Sequence, residues 1–100
     1  MKHEFNPSEE LTTIGAVETI INGYCKQECT AEDMYLASSV CEGKIKYFST
    51  FKKSVGMVYT HLIIVIDCII DNNMDGYKVA YEEYSKAFYK VFKHMIGEDK

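Results

Sequence analysis

The segment DNNMDGYKVAYE, residues 71–82, places Asp71, Asn73, Asp75 and Glu82 at the intervals at which oxygen side chains close around a hard cation, with Gly76 where such a loop turns sharply. Calcium gathers about six to eight oxygens in a flexible geometry, and short carboxylate and amide side chains on alternate residues supply them. The same residues also suit a corner between helices. Asp71, Asn72 and Asn73 can end one helix, Asp75 can cap the next, and Gly76 lets the backbone turn. The four cysteines are a second source of chemistry. Cys25 and Cys29 lie close in the chain while Cys41 and Cys68 are remote, which is not the two close pairs of a zinc knuckle. His61 and Cys68 on one helix would be separated by about 10.5 Å of axial rise, beyond the reach of a nucleophile and its base. Asp67 and Asp71 read as the wet strip of a buried helix and not as an acid and base pair.

On Asp71, Asn73, Asp75, Gly76 and Glu82 the segment resembles the calcium-binding loop of the EF-hand family. The resemblance implies calcium ligation by Asp71, Asn73 and Asp75, with both oxygens of Glu82 closing the shell. The sequence departs from the family pattern after the glycine. Lys78 stands where an aliphatic residue packs inward, Val79 where a small or polar residue is usual, and Glu83 where an apolar residue follows the closing acid. No sister loop is found upstream.

The elements that must position these residues are helical. Asn6 and Pro7 start a first helix, Glu9 and Glu10 suit the positive end of its dipole, and Leu11, Ile14, Val17, Ile21 and Tyr24 recur on one face. CKQEC connects it to a second start at Thr30, with acids in the following turn. From Met34 a heptad runs through Cys41, Phe48, Val55, Leu62 and Ile69, with a second column at Ser38, Ile45, Lys52, Tyr59 and Ile66. One unbroken helix over that range would be about 60 Å long, so a break near KKSVG, residues 52–56, is expected, with Gly56 as its punctuation and Gly43 as a weaker site. The Ile- and Val-rich run 55–70 could form a hairpin strand. Its length, and the narrow sector holding Thr60, Asp67 and Asp71, favour a helix needing cover on several sides. In the last helix Tyr77, Tyr81, Tyr84, Phe88, Phe92 and Met95 form a stripe opposite Glu82, Glu83, Lys86, Lys90 and Lys93, with Glu82 and Lys86 placed to pair. The predicted fold is all-α: a small four-helix bundle in one domain, residues 1–100, with 1–6 and 97–100 frayed. One long central helix shared in a homo-oligomer is the alternative.

Composition narrows the function classes. Hydrophobic residues make up 47% and charged residues 26%, as in an ordinary globular chain. Residues 1–33 hold seven acids against Lys2 and Lys26, while 44–53 hold four lysines and no acid, so the surface is bipolar. All eleven basic residues are lysine, which removes the arginine fork used on phosphate and guanine and argues against nucleic-acid binding. The start MKHEFNPSEELTTIG lacks the apolar core of a secretory signal, and VGMVYTHLIIVIDCII is short and interrupted for a membrane span. A cytoplasmic location and reduced cysteines are therefore expected. Lysine without arginine suits an AT-rich bacterial or viral genome.

No motif supplies a reaction, so the expected function is a non-enzymatic interaction module of adaptor or inhibitor type. An inhibitor of a host factor encoded by a phage is one form of it. The expected partner is another protein, with Tyr77 and Tyr89 at the rim of the last stripe as candidate anchors, and self-association is expected beside it. No cofactor is expected; a calcium-binding helical protein using residues 71–82 is the alternative.

Overall fold

The structure, a computed structural model, describes residues 4–93, and the described chain forms four α-helices and no strand. They are α1 (Pro7–Cys25), α2 (Ala31–Phe48), α3 (Lys53–Ile70) and α4 (Met74–Phe92). Each start but one is fixed by a local cap. The Asn6 side chain accepts from the Glu9 amide at 3.3 Å, with Pro7 in the first turn. Thr30 and Asp33 form a reciprocal capping box, at 3.2 and 3.0 Å. Asn73 accepts from the Gly76 amide at 3.0 Å and opens α4. Two helices end through left-handed residues that are not glycine, Gln27 after α1 and Asn72 after α3. The Gly23 carbonyl takes the amides of both Glu28 and Cys29, at 2.6 and 3.1 Å, which folds the first connection back against α1.

The two-helix reading of residues 30–70 holds, but the break lies at residues 49–52, earlier than expected. Ser49 Oγ donates to the Lys46 carbonyl at 2.8 Å, and the Phe51 ring folds back on Phe48 and Tyr47, with centroids 5.3 and 5.4 Å apart. The long central helix is therefore not formed. Gly56 does not punctuate anything; it is buried in the first turns of α3. The site of a β-carbon there lies 3.7 Å from Phe48 Cβ and 3.8 Å from the Ile45 carbonyl, ordinary contact distances, so Gly56 faces α2 with room for a methyl group. Gly43 sits mid-helix on the exposed side of α2.

α3 is the central element. It packs along α2 on one side and α4 on the other, while α1 packs more lightly, against α2 and α3. The molecule measures 37 × 36 × 21 Å, and its thin dimension is about two helix diameters. The first heptad column supplies the core on both sides of the break: Met34, Cys41, Phe48, Val55 and Leu62 are all buried. From α1 come Ile14, Val17 and Ile21; from α4 come Ala80, Tyr84 and Phe92. Thr60, Asp67 and Asp71 do share the solvent side of α3, but Met57 and Ile64 share it with them.

The stripe of α4 is a ladder of rings from Tyr77 through Tyr81, Tyr84 and Phe88 to Phe92, with successive centroids 4.9–5.9 Å apart. Met95, His3, His94, Gly97 and the expected frayed residues 1–3 and 97–100 lie outside the described residues. Residues 4–6, expected to fray, are tied down. Phe5 meets Phe48 edge-on at 6.1 Å, Lys52 Nζ lies 5.3 Å over its ring, and the Glu4 amide donates to the Tyr47 hydroxyl at 3.0 Å. Lys86 pairs with Glu83 at 3.7 Å and not with Glu82, an exposed contact of little energetic weight.

A methyl group at Gly23 would sit 2.5 Å from Cys29 Sγ. Gly23→Ala should therefore destabilise the protein by about 1–3 kcal/mol in chemical denaturation. Most of that loss should vanish in a Cys29→Ala background; an equal loss in both backgrounds would show that the contact is not the cause.

Candidate functional site

The segment with the calcium-like spacing does not form a loop. α4 begins at Met74, the fourth residue of the twelve, so Asp75 and Glu82 both ride on one helix, about 10.5 Å apart along its axis. The Asn73 side-chain oxygen is used as the helix cap, a role the sequence reading gave to Asp75. Asp71 caps the end of α3 and is exposed. Among the described residues no three His, Cys, Asp or Glu side chains converge as a cation shell would require. The segment is the corner between α3 and α4.

The cysteines and the central histidine are likewise dispersed. All four cysteines are unpaired. Cys41 is fully buried and its thiol is pushed up to about 12, first by burial and then by the Glu42 carboxylate. Cys25 and Cys29 line an open cleft of about 590 Å³ with Tyr24, Ile69, Met74 and Tyr77. His61 lines a separate shallow cleft between α3 and α4, with Ser54, Lys86 and Lys90 on its walls.

What the structure does bring together centres on a carboxylate that the sequence reading assigned only to the positive end of a helix dipole. Glu10, on the buried face of α1, is 3% exposed. Its two oxygens have different partners: Tyr59 of α3 donates its hydroxyl to Oε1 at 2.5 Å, and Lys44 of α2 donates to Oε2 at 3.1 Å. A second carboxylate two turns on, Glu18, accepts from the hydroxyl of Tyr84 on α4. Both phenols are held well above the ordinary tyrosine range, chiefly by burial and next by their hydrogen bonds to these carboxylates. No buried side-chain nitrogen or oxygen among the described residues lacks a partner. Bound to α3 through Tyr59 and to α2 through Lys44, the Glu10 carboxylate fastens three helices together.

Above Glu10 the outer surface opens into a groove of about 400 Å³. One wall is the start of α1, with Glu4, Asn6 and Glu9; the other is α2, with Val40, Gly43 and Tyr47. The groove continues along α2 as a face that no other element covers. Leu36 is 62% exposed, Val40 47% and Tyr47 38%, and they follow one another at spacings of four and seven, with Gly43 between. These residues fall outside both heptad columns, which is why counting the columns missed them; the signal was apolar residues out of phase with the core. Of the two candidate anchors, Tyr77 is partly buried where α1, α3 and α4 meet, and Tyr89 is exposed on α4, on a flank it shares with Met74 and Tyr81.

α3 is long and apolar enough to cross a membrane by length and composition, and its buried residues face the other helices. No family model, no curated protein and no solved structure matches this chain.

Three measurements follow. Tyr59→Phe, which leaves one oxygen of a buried carboxylate without its donor, should destabilise by about 1–3 kcal/mol. Lys44→Met should cost about 3 kcal/mol, near the lower end for such pairs because the amine is partly exposed. Adding Glu10→Leu to both should recover a large share of the loss, since an apolar triad has no unpaired charge.

The pH dependence has a definite sign. Cys41, Tyr59 and Tyr84 hold their protons in the folded chain after the unfolded chain has released them, so the folded state binds more protons at high pH. Their stabilisation is complete below pH 9.0 and drains away as pH rises past 9.0 for the thiol and 10.0 for the phenols. Melting temperature should fall steeply through that window, and less steeply in Tyr59→Phe with Tyr84→Phe; a flat profile would refute the assignment. Finally, calcium should shift the melting temperature by less than about 1 °C. A chelator-reversible rise of several degrees would mean that α4 unwinds onto the ion.

Proposed function

We propose that the protein is a small helical interaction module, non-enzymatic and of adaptor or inhibitor type, acting on another protein inside the cell. The observation that carries this reading is the uncovered face of α2, on which Leu36, Val40 and Tyr47 stand exposed in one line. Full burial of such a side chain is worth about 1.5–3 kcal/mol, so a partner covering this line gains several kcal/mol before any polar contact forms. Scattered apolar residues on a surface need no explanation, but a continuous line flanked by a groove is the pattern of a docking site. The internally satisfied polar network supports the same reading, because the buried ionisable groups are engaged in holding helices. Four unpaired cysteines fit a reducing compartment.

The test is capture of a partner from the native host by tagged protein. Leu36→Glu and Val40→Glu should each abolish capture while changing stability by no more than about 0.5 kcal/mol, since both positions are solvent-facing. Loss of capture with Tyr89→Ala, but not with Leu36→Glu, would move the docking surface to α4 and overturn this assignment.

A further inference from the structure

The α2 face has a charge pattern that selects its occupant. Glu32 lies at the N-terminal end of the face and Lys46 at the C-terminal end, on the same flank, and both are exposed. Neither enters an ion pair among the described residues. On the opposite flank Asp33 is engaged in the Thr30 capping box and Lys44 is held by Glu10, so the pairing charges are those of Glu32 and Lys46. Between these ends the face carries Leu36, Ser39, Val40 and Gly43. A β-carbon at Gly43 would have nothing within 4 Å, so the centre of the face holds an opening beside Val40.

Resting on the reading of α2 as the docking surface, we propose that its occupant is a second copy of this chain, laid antiparallel along α2 about a two-fold axis beside Ser39 and Val40. In an antiparallel pair related by a two-fold axis, each flank faces its own symmetry mate, and the start of one helix faces the end of the other. Glu32 of each copy then meets Lys46 of the other, twice across the interface. Leu36 of each copy falls opposite Gly43 of the other, where the missing side chain leaves room between Val40 and Tyr47. Parallel pairing would instead bring the two acidic helix starts together and the two lysine-bearing ends together, which opposes it. The antiparallel arrangement also sets the two helix dipoles head to tail. α2 is about 27 Å long, enough for both charge pairs and both leucine seats to form together.

Light scattering on the purified full chain across a concentration series tests this. The expected mass is twice the 11.5 kDa of one chain, falling to one chain with Leu36→Glu. Glu32→Lys and Lys46→Glu should each raise the dimer dissociation constant about tenfold or more, because each turns two attractions into two repulsions. The double variant Glu32→Lys with Lys46→Glu should return it close to that of the unaltered chain, which repulsion by a foreign partner could not produce. A single-chain mass at every concentration would overturn self-docking; capture of a foreign protein lost with Leu36→Glu would then leave the docking-surface reading standing. A dimer that survives Leu36→Glu would overturn self-docking on α2. A dimer broken by each single charge variant and not restored by the double would overturn the antiparallel pairing.

Discussion

A carboxylate taken out of water inside a protein carries a desolvation penalty of several kcal/mol, and that penalty is offset only where geometry is close to ideal. Glu10 meets this condition because its two oxygens are claimed by two different helices, Tyr59 on α3 and Lys44 on α2. The arrangement tolerates no slippage. If α1 moved by one turn along its axis, Asn6 or Ile14 would arrive where Glu10 stands, and a buried phenol and a lysine would both lose their acceptor. Apolar side chains such as Val17 and Ile21 hold α1 down without specifying where along its length it sits. The carboxylate supplies that specification, and Glu18 with Tyr84 repeats it on the side of α4.

The placement of α1 has an effect on the outer surface. Its first residues become the acidic wall of the groove, and the Tyr47 hydroxyl is held by backbone hydrogen bonds with Glu4 at 3.0 and 3.3 Å. The groove is thus built from the same contacts that seat the helix, and its shape is fixed before anything docks. Preformed surfaces of this kind lose little conformational entropy on association. Buried polar contacts and an exposed apolar line are thus set on opposite sides of the same helix pair.

Local signals were legible and non-local ones were not. Asn6 with Pro7, Thr30 with Asp33, and the stripe from Tyr77 to Phe92 each depend on neighbours within a turn or two, so spacing alone recovers them. Glu9 and Glu10 look equivalent as acids in a first turn. Only the position of Glu10, four before Ile14 and in line with Val17 and Ile21, marks it as a charge on the core face. Gly56 reads as a break because a glycine in a helix usually weakens it, whereas it lies inside α3 on the side facing α2, a placement no single-chain pattern displays. The Asx-rich corner was legible as a corner, but the choice of Asn73 over Asp75 as cap followed from Asn72 turning left-handed just before it. The α2 face was hidden because the heptad count assigned that helix one side and ignored Leu36 and Val40 on another.

The depth of the four thiols has a practical consequence. Cys25 stands at the surface, whereas Cys41 has no exposed area and resists ionisation, and the thiolate is the reactive form. An alkylating reagent meets the first in the native chain and the second only when α2 lifts away from α3. The chain therefore carries its own clock: the ratio of the two labelling rates counts how often the bundle breathes.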